Sequence, residues 1–371
     1  KDHDYLEQAI QIGKTGNLMK RYKEIKDIAN DKITYPLEFE LDPSKIEEFV
    51  ETRLTEYNTP AKNASLKLEG GKFQYFDEQV GKQIEKDETI KEIKESINEE
   101  WNKEDIILNA VITPDQPKYT RQMVEKVNSK LGSFTTNYSS SSVDRSLNLD
   151  HWARLINNTV LYPGEEFSAY DKLAPFTIAN GYSVGGAYAG GKVVDSIGGG
   201  VCQVTTTLYN AVLYSELEVT ERANHSMTIS YTDLARDAAI AGTWKNLRFV
   251  NNTEHPVLIQ AYTKNRNITF TIWGHETRPS SSKIEYETVV LSQKDPPKDV
   301  VTEDPTKPVT YEKVTQSAHK GYVAELYKVV YENGKQVSRT RINRSQYQAT
   351  PRYITKGTMP EPSPTPTPTP D

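Results

Sequence analysis

A single cysteine among 371 residues rules out an internal disulfide and leaves the redox compartment unread. The six histidines are scattered, without Cys-x-x-Cys or His-Glu-x-x-His spacing, so no metal site and no cofactor is expected. No run of about 18 apolar residues occurs, so no segment is expected to span a membrane. Net charge is −6 with no basic block, which argues against nucleic acid as the main partner. The glycine clusters lack the Lys-Ser/Thr of a phosphate loop. The chain starts at Lys1 without a signal peptide, which reads as a processed or trimmed chain; an upstream membrane anchor is left open.

The lone cysteine sits in Ser196-Ile-Gly-Gly-Gly-Val-Cys202-Gln203-Val-Thr-Thr-Thr-Leu208. Gly198, Gly199 and Gly200 permit positive φ and close approach of a ligand to the backbone. Val204, Leu208, Ala211 and Val212 recur at helical spacing, which puts Cys202 in or just before a first turn. Unpaired amides and the helix dipole there would stabilise a thiolate and an oxyanion. The competing reading is a buried free cysteine acting as a small hydrophobe.

The fold class expected is multidomain α+β. Residues 1–115 read as an α+β domain: Asp42-Pro43 starts a helix, Ala64–Leu68 and Phe73–Tyr75 flank Gly70-Gly71 as a hairpin, and Ile90, Ile93, Ile97 and Trp101 form a helical stripe. Residues 106–112 read as a strand. Residues 116–144 read as a linker with a helix over 120–131, stopped by Gly132. The next unit, 145–278, begins with a helix near Asn148, carries the cysteine motif and turns strand-like after Glu218, with strands expected over 227–232 and 247–250 and a hairpin of 257–262 with 268–273. Residues 283–358 read as an all-β module, its Asn333-Gly334 pair a hairpin signal. Residues 359–371 are a Pro/Thr-rich tail of extended polyproline II type.

Three linked segments carry a resemblance: Leu161-Tyr-Pro-Gly-Glu-Glu-Phe-Ser168, then Gly198-Gly-Gly-Val-Cys-Gln-Val-Thr-Thr-Thr-Leu-Tyr-Asn210, then Glu221-Arg-Ala-Asn-His-Ser226. Together they resemble the VanW domain. The first segment of the chain looks like the peptidoglycan-binding domain that precedes VanW or L,D-transpeptidase domains. Residues 283–358, with Gly321-Tyr-Val and Tyr331-Glu-Asn-Gly-Lys335, look like a G5 module. This order implies an extracellular, cell-envelope protein of a Gram-positive bacterium whose partner is the peptidoglycan stem peptide. It also implies an L,D-transpeptidase that forms 3-3 cross-links through the motif cysteine. The ordinary Ser-x-Gly-Cys-x-Arg pattern of that enzyme class is absent: Ser196 lies six residues before Cys202, and Gln203 follows it. The alternatives are a cysteine peptidase or carboxypeptidase on the same stems, and a non-catalytic wall-binding surface protein.

A cysteine acyltransferase needs a base, an orienting group and oxyanion donors. His225 is the candidate base that takes the thiol proton, with a surface-loop histidine as the plain alternative. Asp237 or Asp233 is the candidate to orient it, though either also suits a turn. Backbone amides of Gly200, Val201 and Cys202 are candidate oxyanion donors, and Gln203 could add a side-chain amide. Arg222 could bind a substrate carboxylate, or pair with Glu221 or Glu218. Tyr182, Tyr188 and Tyr209 are candidate cleft residues, tyrosines being more often amphipathic packing. His151, beside Trp152, reads as packing.

Overall fold

In a computed structural model, which describes residues 2–35, 41–97, 101–102, 104–189 and 192–360, the chain forms two compact units. The first comprises residues 1–62 and 80–116, the second residues 63–79 and 117–371. Both helices and strands build it, as an α+β chain requires. The Pro/Thr-rich tail beyond 360 lies outside the described residues.

In the first unit the helix Pro43–Thr52 is capped by Asp42, whose Oδ1 accepts from the Ser44 amide at 3.0 Å, with Pro43 at its first position. Ile46 and Val50 on this helix pack with Ile84, and Leu54, Ile90 and Ile93 close the small core. The second helix of that core, Lys86–Ser96, ends before Trp101. The apolar strand expected over 106–112 does not form; a strand begins only at its last residue, Ile112–Asp115, and pairs antiparallel to Gly81–Ile84.

The hairpin Ser65–Glu69/Lys72–Phe76 turns at Gly70-Gly71, both at positive φ, as its residues predict. It belongs, however, to the second unit. Leu66 and Leu68 pack with Val124, Val127 and Leu258, and the Leu68 amide donates to Asn158 Oδ1 at 2.8 Å. The hairpin therefore covers one face of the central sheet, a long-range pairing that local residues cannot announce.

That sheet has four antiparallel strands in the order Ser129–Asn137, Asn267–Gly274, Val257–Lys264, Thr159–Leu161. The strand Asn267–Gly274 is buried along nearly its whole length because both faces are covered. The helices Val143–Ile156 and Val201–Tyr214 lie on the second face, with Leu149, Trp152, Leu208 and Val212 fully buried. The helix expected over 120–131 is cut to Arg121–Val124, because Leu131 is needed in the strand beside Asn267–Gly274. The strand expected over 227–232 does not form, and that segment runs as turns and bends.

The C-terminal residues form two three-stranded sheets. One pairs Ser282–Lys294, Gly321–Glu332 and Lys335–Tyr347, the last two joined at Asn333-Gly334 with both residues at positive φ. The other places Tyr353–Met359 between Val300–Pro308 and Glu312–Gln316. Ala324 and Leu326 of the first sheet are fully buried in the same core as Leu208, Tyr209 and Leu213 of the cysteine helix. The two regions share one hydrophobic interior.

Candidate active site

The cysteine helix, Val201–Tyr214, begins at Gly200, which has φ +112°. A side chain there would be strained, and its Cβ would lie 2.8 Å from Leu149 Cδ1. At Gly199 a Cβ would strike the Gly185 backbone at 2.3 Å. The buried Asn148 clamps this turn, donating to Gly199 O at 3.0 Å and Ser183 O at 2.9 Å. Cys202 is thus held in the first turn of the helix, half-buried. Its Sγ lies 3.4 Å from the Ile240 amide and 3.5 Å from the Ile240 carbonyl.

Most of the helix is apolar, yet Gln203, Thr205, Thr206, Thr207 and Asn210 are buried along it. Burial of such groups is costly unless they are hydrogen-bonded. Thr205 Oγ1 donates to Ala238 O at 2.8 Å, and Thr206 Oγ1 accepts from the Ala238 amide at 3.0 Å. Asn210 Nδ2 donates to Arg236 O at 2.8 Å and its Oδ1 accepts from Arg236 Nε at 2.8 Å. These bonds tie the chain over 236–240 to the helix and so place Asp237 beside the cysteine. The sequence reading missed this role; the signal was uncharged polar residues recurring on an otherwise apolar helix.

His225 reaches the same point from the turn after Glu218–Glu221 and is 4% exposed. Its Nδ1 and its backbone amide both lie 2.7 Å from Asp237 Oδ2. The ring is also near enough to the Cys202 sulfur for each group to shift the charge of the other. With Nδ1 given to Asp237, Nε2 is the nitrogen left to face the thiol. Asp237, not Asp233, orients the histidine: Asp233 is exposed and sits 3.8 Å from Arg236 Nη1.

These neighbours set one another's charge. Burial pushes the Asp237 carboxyl up, but the hydrogen bond from His225 and the charge of Arg222 bring it down to about 2. Burial likewise opposes charge on His225, yet the Cys202 charge and the Asp237 bond raise it from 6.5 to about 9. Burial raises the Cys202 thiol, and the His225 charge and hydrogen bond outweigh it, so the thiol is lowered. Both shifts act in the same direction, towards a thiolate beside an imidazolium, the state that results when His225 has taken the thiol proton.

The group opens into a cleft of about 660 Å³ lined by Tyr138, Arg145, Ser196, Gly198, Tyr231 and Gly242, among others. Several expected cleft residues lie elsewhere. Arg222 is not turned to a ligand: Nη2 pairs with Asp237 Oδ1 at 2.9 Å, Nε donates to Asp237 O at 2.6 Å, and Nη1 donates to Ser345 Oγ at 2.7 Å. Tyr182 is 3% exposed and bonds through its hydroxyl to Leu173 O. Tyr209 is 1% exposed, accepts from Asn343 and lies under the Arg222 guanidinium. The side chain of Tyr188 lies outside the described residues. Gln203 spends its amide nitrogen on Asn137 O at 2.9 Å and Thr136 Oγ1 at 3.1 Å, so it braces the cleft wall. His151 packs edge-on against Tyr182. Among the described residues no cluster of three or more His, Cys, Asp or Glu is placed to hold a metal ion.

Residues 144–273, which contain all three members of this group, match the family described as VanW like protein. The chain carries a VanW domain. Residues 3–105 match the family described as "Putative peptidoglycan binding domain", and residues 286–359 match the G5 domain, so these two domains flank the VanW domain. Among curated relatives, the uncharacterized protein YoaR of Bacillus subtilis is 30% identical over 161 residues, covering 43% of this chain and 53% of that protein. The vancomycin B-type resistance protein VanW of Enterococcus faecalis is 28% identical over 116 residues, covering 30% of this chain and 42% of that protein. The alignments thus span about half the length of these relatives. Among solved structures, the IgA1 protease G5 domain is similar at 23% identity, covering 21% of this chain and 93% of that one, with a TM-score of 0.15. The VanW domain and the two domains that flank it point to a cell-wall-associated function and a cell-envelope location. No helix among the described residues is long and apolar enough to cross a membrane.

Proposed function

We propose that this protein is a peptidoglycan L,D-transpeptidase that works through a thioester on Cys202. The observation that carries the reading is the Cys202–His225–Asp237 group, in which Cys202 and His225 line the cleft and His225 Nδ1 lies 2.7 Å from Asp237 behind them. A nucleophile, a proton carrier and its orienting carboxylate in contact are what acyl transfer requires. The peptidoglycan-binding and G5 domains supply the setting in which the acyl donor is a stem peptide.

The Cys202 thiolate attacks the carbonyl that joins the third stem residue to its terminal D-alanine. The Val201 and Gln203 amides close the helix start on Gly198 O at 3.4 Å and Gly200 O at 2.9 Å, so Gly200 and Cys202 are our candidate oxyanion donors. The carbon–nitrogen bond breaks, His225 gives its Nε2 proton to the departing amine, and a thioester is left. The side-chain amine of an acceptor stem then attacks, His225 takes its proton, and the thiolate is expelled to leave a 3-3 cross-link. Arg145, lining the cleft and bonded to Ser141, takes the substrate-carboxylate role first expected of Arg222.

Incubation with a stem tetrapeptide, followed by intact-mass analysis, tests this. The expected result is an adduct on Cys202 lacking one D-alanine, absent from Cys202→Ala, and resolved to a dimer by an amine acceptor. Release of a tripeptide alone would make the protein a cysteine carboxypeptidase. No adduct in folded protein would leave a wall-binding protein with a structural cysteine.

A further inference from the structure

The strand Lys335–Tyr347 belongs to the G5 module, yet it meets the VanW site with Asn343, Ser345 and Tyr347, which alternate onto one face. Ser345 and Tyr347 are 1% and 3% exposed. The Tyr347 hydroxyl donates to Asp237 Oδ1 at 2.5 Å and accepts from the Ala235 amide at 2.7 Å. Ser345 Oγ holds Arg222 Nη1 at 2.7 Å, and Arg222 in turn pairs with Asp237. Asn343 Nδ2 donates to Ala235 O at 3.0 Å and to the Tyr209 hydroxyl at 2.9 Å. The strand backbone grips the histidine segment as well: Gln346 O accepts from Asn224 Nδ2 at 2.8 Å, and the Gln348 amide donates to Ser226 O at 2.7 Å.

We propose that the G5 module is part of the active site, with Tyr347 and Ser345 as positioning residues that fix Asp237 and through it His225. This rests on the assignment of Cys202, His225 and Asp237 above. Each carboxylate oxygen has its own work: Oδ2 serves His225, while Oδ1 is held by Tyr347 and Arg222. Both residues flanking His225, and the backbone two residues before Asp237, are bonded to this strand or to Gln348 directly after it. Without those bonds two irregular segments, each lacking a ladder of its own, would have to keep a triad in register. A strand stiffened by its own sheet supplies that register.

The test reads the thiol rather than cross-linking. The alkylation rate of Cys202 by iodoacetamide is followed against pH in the whole folded protein, for wild type, Tyr347→Phe, Ser345→Ala and the control Tyr327→Phe. Tyr327 has its hydroxyl on Glu325 of the same sheet, outside the site. Tyr347→Phe is expected to react about ten- to hundredfold more slowly at neutral pH, the loss typical of removing a buried hydrogen bond to a charged group. Its pH midpoint moves as well, while Tyr327→Phe follows wild type. A Tyr347→Phe protein that melts lower but alkylates at the wild-type rate and midpoint overturns the proposal. Should Tyr347→Phe fail to fold, Ser345→Ala decides by the same readout: slowed alkylation supports the proposal and an unchanged rate overturns it. Failure of the transpeptidase reading would show separately, as a missing D-alanine-loss adduct on the wild type.

Discussion

At the scale of single residues, the chemistry depends on where two protons sit. The proposed thioester chemistry needs Cys202 ionised and His225 protonated. The lowered thiol loses its charge at acid pH, and the imidazolium loses its proton as pH rises through about 9. Thioester formation should therefore follow a bell whose alkaline limb lies near 9, measured as adduct rate against pH; a rate still climbing well above that value would place the proton elsewhere. Because folding raises the His225 value from 6.5, its contribution to stability is complete below 6.5 and fades as pH rises through about 9. Asp237→Asn keeps the shape but leaves the buried Arg222 without its charge partner. Breaking a buried pair in this way costs about 3–5 kcal/mol. Denaturant unfolding should show that loss, and alkylation of Cys202 should slow in whatever remains folded.

At the scale of elements, the cysteine helix does two jobs with different residues. Its N-terminus presents the sulfur, and its buried threonines and Asn210 carry the segment that holds Asp237. Gly200 is where the two meet the glycine turn. Gly200→Ala places a non-glycine residue at φ +112°, a strain of order 1–3 kcal/mol, before any clash with Leu149 is counted. We expect a lower melting temperature together with a disproportionate fall in Cys202 reactivity, because the turn sets the first helical residues. Gly70→Ala is the comparison: it too has positive φ, but open space around it and a position far from the site, so only melting should respond.

At the scale of the whole molecule, the VanW and G5 regions behave as one body. Leu326 of the G5 sheet is fully buried in the core that also contains Leu208 and Phe270. Leu326→Ala should cost about 2–5 kcal/mol, as large-to-small core changes do. Hydrogen exchange should then show protection falling together in Asn267–Gly274 and Gly321–Glu332, since both strands face that core. Loss confined to the G5 strands would mean two independently stable regions. Such a result would also weaken the case for Tyr347 as a positioning residue.

The local code was enough for much of this protein. Asp42-Pro43 announced a helix start, Gly70-Gly71 and Asn333-Gly334 announced hairpins, and a glycine run before a periodic apolar stretch put Cys202 in a first helical turn. Each depends on a few neighbouring dihedrals and caps, which neighbouring residues control. The linked motifs likewise pointed to a VanW domain and, within it, to Cys202 with His225. The sequence left Asp233 and Asp237 undecided because four residues of separation say nothing about which carboxylate turns inward. It misjudged Arg222, Tyr182 and Tyr209, since a side chain that would suit a ligand equally suits a buried bond within the protein. It grouped residues 65–76 with residues 1–115, whereas the structure packs that hairpin in the second compact unit, and it did not connect residues 283–358 with Asp237. Sheet faces and strand alternation can be read locally, but the partner they meet is chosen by packing across distances such as the 110 residues between Asp237 and Tyr347.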